Sequence, residues 1–97
     1  MRSRGYREGA QLLRLDLFLR VSRLVKRRTV AKEACVNGRI LLNSRPAKPA
    51  AEVKPGDTIT LDYGPRLLTV EVLAVPTGPL SKAAAADLYR ILEDRRL

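Results

Sequence analysis

Residues 14–36, RLDLFLRVSRLVKRRTVAKEACV, interleave apolar side chains that demand burial with cations that resist it. Between residues 20 and 28 five positions carry a fixed positive charge, and Val21, Leu24 and Val25 sit among them. Any fold that accepts this segment must bury one set of side chains and hold the other at the surface, so the segment has to form amphipathic elements packed on something else. At about 100° per residue, Leu15, Phe18, Leu19 and Val25 fall on one flank of a helix and Leu17, Val21 and Leu24 on the other. Asp16, Arg20, Arg23 and Arg27 then share a narrow polar stripe, a rail of three arginines on an otherwise buried helix. Asp16 opens the apolar run and is the expected N-cap. KRRT breaks the pattern, with Lys26 and Arg28 flanking the rail at the turn. Thr29 is the expected N-cap of a second short helix, VAKEACVN. In that helix Val30, Ala31, Ala34 and Cys35 face inward and Lys32 and Glu33 outward. Asn37-Gly38 ends it, glycine supplying the left-handed residue that helix ends favour.

Beyond Gly38 the apolar period changes to two. RILLN (39–43) reads as a short strand carrying Arg39, and NSRPAKPAAE as a loop. Pro55-Gly56 occupies the centre of a type II turn. In TITLDY, Ile59, Leu61 and Tyr63 alternate with Thr58, Thr60 and Asp62. After a Gly64-Pro65 turn, Leu68, Val70 and Val72 alternate within LLTVEVLAV. Gly78-Pro79 closes the sheet region, and Ser81 is the expected cap of a last helix, KAAAADLYRILEDRR, with Ala84, Leu88 and Leu92 on one face. The order helix, helix, three strands, helix predicts an α+β fold with a small antiparallel sheet. Residues 1–13 are expected to be a mobile basic tail, 14–75 the folded domain, and 76–97 a C-terminal helix packed on or extending from it.

The charge is distributed as unevenly as the periodicity. The 97 residues carry a net charge of +9, yet residues 1–45 hold twelve Lys/Arg against Glu8, Asp16 and Glu33, whereas 46–97 hold seven against seven acids. A one-sided field of this kind points to a polyanion, with nucleic acid favoured over an anionic membrane surface. No apolar run approaches the ~20 residues that span a bilayer. A single cysteine, Cys35, precludes an intramolecular disulfide and suits a reducing cytoplasm, where it reads as a small buried hydrophobe.

Catalytic options are few. The chain has no histidine, so Ser-His-Asp, Cys-His and histidine-metal arrangements cannot be built, and one cysteine cannot make a zinc ribbon. There is no glycine-rich phosphate loop. Asp57, Asp62 and Glu71 read as solvated carboxylates on strand faces or at a turn, with no catalytic partner. The expectation is a non-enzyme without cofactor or metal. Arginine suits phosphate because it is planar, permanently charged and bidentate. Arg20, Arg23 and Arg27, with Lys26, Arg28, Lys32 and Arg39 nearby, form the expected phosphate-binding set. Tyr6, Phe18, Tyr63 and Tyr89 make no stacking platform, so recognition is expected to rest on phosphates and shape. A DNA-reading helix-turn-helix would carry its contacts on the second helix, and here that helix offers only Lys32 and Glu33.

RLDLFLRVSRLVKRRTVAKEACVNGRILLN followed by VKPGDTITL resembles the ribosomal protein S-four RNA-binding domain family, the alpha-L motif. RLD, SR, RR, NGR and VKPGD fall in order over residues 14–75. The YGPRLLTVEV strand and the final LYRILEDRRL add a likeness to the stand-alone bacterial members that serve ribosome-associated quality control. The resemblance implies a soluble, cytoplasmic, monomeric factor binding large-subunit rRNA and peptidyl-tRNA on a stalled large ribosomal subunit. It implies support for the addition of C-terminal alanine tails by a partner, RqcH, and RNA gripping by Arg14, Ser22, Arg23, Lys26, Arg27, Arg28, Thr29 and Lys32. Alternative readings are a heat-shock-type large-subunit recycling protein, or an RNA-binding fragment of a pseudouridine synthase or tRNA synthetase. The chain departs from the family pattern in the 13 residues before Arg14, and in Asn43-Ser44 where many members carry Asn-Gly.

Overall fold

The computed structural model describes residues 12–76 and 82–96. Residues 1–11 of the tail expected over 1–13, the Gly78-Pro79 break and the Ser81 cap lie outside the described residues, while Leu13 pairs with Val53. In chain order the elements are β1 (Leu13–Arg14), α1 (Leu15–Val21), α2 (Arg28–Val36), β2 (Ile40–Leu42), β3 (Arg45–Pro46), β4 (Glu52–Val53), β5 (Thr58–Asp62), β6 (Arg66–Val72), α3 (Lys82–Ala86) and β7 (Tyr89–Arg96).

The alternating apolar residues of TITLD and RLLTVEV set the sheet. Ile59, Leu61, Leu68, Val70 and Val72 are buried on one face, and β5 pairs β6 antiparallel with Ile59 opposite Val70 and Leu61 opposite Leu68. The helices cover that face with Leu15, Phe18, Leu19, Ala31 and Cys35. Leu15, Phe18 and Leu19 are wholly excluded from solvent. Truncating a side chain so placed to alanine typically costs about 2–5 kcal/mol. The five-stranded sheet runs β3-β2-β5-β6-β7, and β1 pairs β4 in a separate two-stranded ribbon. The fold class is therefore α+β as expected, with a larger sheet than the sequence pattern implied.

Two turns fix how the sheet is joined. Asn43 and Ser44 both have positive φ, 52° and 71°, and connect β2 to β3 through a two-residue hairpin of the primed kind. Serine thus adopts the conformation usually given to glycine here, and the expected loop over 43–52 contains the hairpin turn, β3 and the first residue of β4. Asn43 is held in return: its backbone N–H donates to the Thr58 carbonyl at 2.7 Å, and its side-chain oxygen accepts from the Thr58 N–H at 2.9 Å. The Pro55-Gly56 turn closes as expected, with Gly56 at φ 95°. Its Asp57 departs from expectation. It is 4% exposed, and accepts hydrogen bonds from the Lys54 N–H at 3.0 Å, the Lys54 Nζ at 2.9 Å and the Asn43 amide at 3.2 Å. Burial alone would raise its pKa, but these donors together hold it below the usual carboxylate value.

The C-terminal helix requires a larger correction. Only Lys82–Ala86 is helical, and Tyr89–Arg96 is a strand that completes the sheet on the free edge of β6. Ala84, Leu88 and Leu92 do not share a helical face: Leu88 is buried, whereas Leu92 is half exposed. Glu93 faces Thr69 and Ile91 faces Val70, so Leu92 is an extra residue in a bulge. An unpaired β6 edge would leave a row of backbone donors and acceptors to solvent, and β7 satisfies them. Arg66 with Asp94 and Arg90 with Glu71 reinforce the pairing. Local helix propensity is a weak preference beside a complete ladder. A chain ending at Leu88 is expected to lose hydrogen-exchange protection at the outward amides of Arg66–Val72, while α1 stays protected. Unchanged β6 protection would show that β7 is not paired there.

Candidate nucleic-acid interface

The polar side of the two-helix element is organised by one carboxylate. Asp16 lies in the first turn of α1, and its side chain is buried. It accepts two hydrogen bonds from Arg14, Nε at 3.1 Å and the terminal nitrogen at 3.0 Å. Arg28, the first residue of α2, approaches with its Nε at 3.5 Å. The two arginine side chains remain 46% and 49% exposed. Asp16 is thus neither the expected N-cap, a position Arg14 occupies, nor part of an exposed stripe. Burial pushes its pKa up, but the Arg14 hydrogen bonds and the charges of Arg28 and Arg14 outweigh that and leave it lowered. An ionised group of this kind is tolerated in a protein interior only when paired. Holding the two guanidinium groups by one side leaves their other donors toward solvent.

The rail is not a helical stripe. α1 stops at Val21, and Ser22 is its C-cap. The Ser22 hydroxyl donates to the Leu19 carbonyl at 3.2 Å, competing with helix continuation. Arg23 takes φ 65°, and the Val25 N–H returns to the Leu19 carbonyl at 3.0 Å. This compact turn buries Val25 and Ser22 beneath it while Arg23, Lys26 and Arg27 remain exposed. Arg27 is the N-cap residue of α2, so the expected Thr29 cap falls two residues late, and Val30, expected inside, is half exposed. From across the fold the Tyr63 hydroxyl donates to the Leu24 carbonyl at 2.9 Å.

The nominated residues are distributed along the helical layer and its flanks. Arg14 ends β1; Arg20 is in the last turn of α1; Ser22, Arg23, Lys26 and Arg27 make the turn; Arg28, Thr29 and Lys32 begin α2; Arg39 leads into β2. All are exposed except Ser22, which underpins the turn. Among the described residues, no ion pair involves Arg20, Lys26, Arg27, Lys32 or Arg39, whereas Lys54, Arg66, Arg90 and Arg95 are each paired with an acid. Most cations without an acidic partner among the described residues therefore lie in the first half of the chain.

Three features escaped the sequence reading. Asp16 is a clamp, signalled only by its being a lone acid between Arg14 and a dense run of cations. Tyr63 reaches the turn from 39 residues away, for which no local signal exists. Loop 47–51 docks on the start of α1, the Leu15 N–H donating to Ala51 at 2.7 Å and the Asp16 N–H to Pro49 at 3.1 Å. A shallow groove of about 500 Å³ there brings Arg45 and Lys48 beside Leu42, Pro46 and Ala47. Cys35 is buried, and burial with the nearby Asp16 charge pushes its thiol pKa up to about 11, the inert hydrophobe expected.

Comparison with known proteins places this arrangement. The S4 domain family matches residues 13–59. The RQC P-site tRNA stabilizing factor of Bacillus subtilis (strain 168) is 47% identical over 85 residues, covering 88% of this chain and 98% of that protein. The protein of the same name from Listeria innocua is 42% identical, covering 90% and 94%. The one from Halalkalibacterium halodurans is 45% identical, covering 84% and 92%. The chain belongs to the family of RQC P-site tRNA stabilizing factors, RqcP. The trimeric structure of Vibrio cholerae Heat Shock Protein 15 superposes on this member of the family with a TM-score of 0.77 at 30% identity, covering 82% of this chain and 81% of that one.

The lowered pKa of Asp16 and of Asp57 fixes the sign of the acid response. Their contribution to stability is fully present above about pH 4, near the unfolded carboxylate value, and is lost as pH falls through the lower folded values. Asp16→Asn is expected to cost about 1–3 kcal/mol at neutral pH and to flatten the acid limb, read by denaturant titration between pH 7 and pH 2. An unchanged pH profile would show that Asp16 is not an ionised clamp.

Proposed function

We propose that this protein is an RNA-binding factor of bacterial ribosome-associated quality control. It binds the stalled large ribosomal subunit, contacts rRNA and peptidyl-tRNA, and supports C-terminal alanine tailing of the stalled nascent chain together with RqcH. It acts in the cytoplasm as a monomer, without catalysing a reaction. The observation that carries the reading is the placement of Arg14 and Arg28 by one buried carboxylate beside the exposed Arg23, Lys26 and Arg27. Phosphates bind best where guanidinium groups are already oriented, since little side-chain freedom then disappears on binding. Arg14, Arg20, Arg23, Lys26, Arg27, Arg28, Thr29, Lys32 and Arg39 form the RNA face, with Ser22 shaping the turn beneath. The shared name of the relatives, at 41–47% identity over most of the chain, supports the P-site tRNA assignment. The Heat Shock Protein 15 likeness supports the alternative of heat-shock-type subunit recycling, at the lower identity of 30%.

Arg27→Ala is expected to weaken co-sedimentation with large subunits while leaving the thermal midpoint close to wild type, and Arg28→Ala to weaken it with a lowered midpoint, because Asp16 then loses a partner. Each phosphate that a variant no longer neutralises should reduce the slope of log affinity against log salt by about 0.7–0.9. Unchanged co-sedimentation and slope in both variants would overturn the assignment of the RNA face. A requirement in alanine tailing is read separately, by loss of tails in cells lacking the protein and their return on complementation.

A further inference from the structure

The basic turn between α1 and α2 is irregular, held locally by backbone bonds from the Ser22, Arg23 and Val25 N–H groups to Phe18, Arg20 and Leu19 at 2.9–3.0 Å, by the Ser22 hydroxyl to Leu19 at 3.2 Å, and by the Leu24 N–H to Ser22 Oγ at a long 3.5 Å. A second set of contacts reaches it from the opposite end of the chain. Tyr63 follows β5 directly, and its backbone is fixed by donating to the Arg66 carbonyl at 2.9 Å. The Gly64 N–H donates to Asp62 at 2.8 Å, tightening the same hairpin. From that support the Tyr63 hydroxyl donates to the Leu24 carbonyl at 2.9 Å, one residue after Arg23 and two before Lys26. The Arg66 guanidinium lies 5.8 Å from the centre of the Tyr63 ring, within cation–π range. Arg66 is aimed by Asp94 of β7, which accepts two hydrogen bonds from it at 2.8 and 3.0 Å. The series Asp94, Arg66, Tyr63, Leu24 therefore joins the C-terminal strand to the basic turn.

We infer that Tyr63 is a positioning residue for RNA binding, a pin through which the β5–β6 hairpin and β7 hold the Ser22–Arg27 turn in its binding geometry. This rests on the reading of that turn as an RNA-contacting surface. Every member of the series after residue 59 lies outside the S4 match, so the pin gives the C-terminal strands a function beyond closing a sheet edge. Because burial raises the tyrosine pKa above its ordinary value, the hydroxyl remains a donor at neutral pH.

Tyr63→Phe removes the hydroxyl and keeps the ring, which separates a pin from an aromatic surface that touches RNA itself. The measurements are affinity for purified large ribosomal subunits and amide exchange across residues 22–28. Tyr63→Phe is expected to weaken binding about threefold to tenfold, the range of one missing hydrogen bond. Exchange in the turn should accelerate, with the thermal midpoint within a few degrees of wild type. The salt slope should not change, since every phosphate-binding cation is still present. In an Arg27→Ala background the Tyr63→Phe effect should shrink, because both act through one turn. Asp94→Asn should show the same pattern more weakly. Wild-type affinity and wild-type exchange in Tyr63→Phe would overturn the pin. So would wild-type affinity in Tyr63→Phe with weak binding in Tyr63→Ala, which would assign the ring to direct contact. Failure of the wild-type protein to bind large subunits would instead overturn the functional reading beneath it.

Discussion

A carboxylate buried at the start of α1 governs the basic face. Asp16 sits with the apolar residues of the core, yet it is ionised and faces two arginines whose outer halves reach solvent. Without those partners the buried charge would be costly, and without the charge the arginines would be free to wander over the surface. The same group joins three elements: Arg14 comes from β1, Asp16 from α1 and Arg28 from α2. The relative placement of the helices and the orientation of the cations are therefore one problem with one solution.

The apolar residues interleaved with the charges complete it. Phe18, Leu19, Val25, Ala31 and Cys35 lock the helices onto the sheet, and the turn between them is short enough that burying Val25 leaves Arg23, Lys26 and Arg27 exposed around it. Cations on a flexible tail would lose conformational freedom on meeting a polyanion. Cations on a packed turn have already given it up during folding. The second half of the chain plays the opposite electrostatic part. Arg66, Arg90 and Arg95 pair with Asp94, Glu71 and Glu93 across or along the outer strands, so they consolidate the sheet and leave the field to the first half.

The C-terminal strand shows how a local reading is overturned. Ala84, Leu88 and Leu92 repeat at helical spacing, and the alanine run favours a helix. Yet YRILEDRR also carries Tyr89 and Ile91, residues at ease in a strand, and charges complementary to Arg66 and Glu71. Local preference points both ways, and pairing along the open edge of β6 satisfies the strand. Helix boundaries failed for a related reason. Nothing in RVSRLVKRR announces that a serine hydroxyl will turn back on Leu19 and that an arginine will adopt a left-handed conformation, because both depend on Val25 finding the core.

The sequence by itself determined the α+β class, the presence of two N-terminal helices, the alternating strands β5 and β6, the turns at Gly38 and Pro55-Gly56, and the confinement of net charge to the first 45 residues. These follow from periodicity, turn chemistry and composition, which are local quantities. The tertiary structure alone decided that Asp16 would be a buried clamp, that Asp57 would be enclosed by Lys54 and Asn43, that Tyr63 would reach Leu24, and that residues 89–96 would be a strand. Each of those depends on groups distant in sequence meeting in space, and the energy of such a meeting belongs to the folded arrangement as a whole.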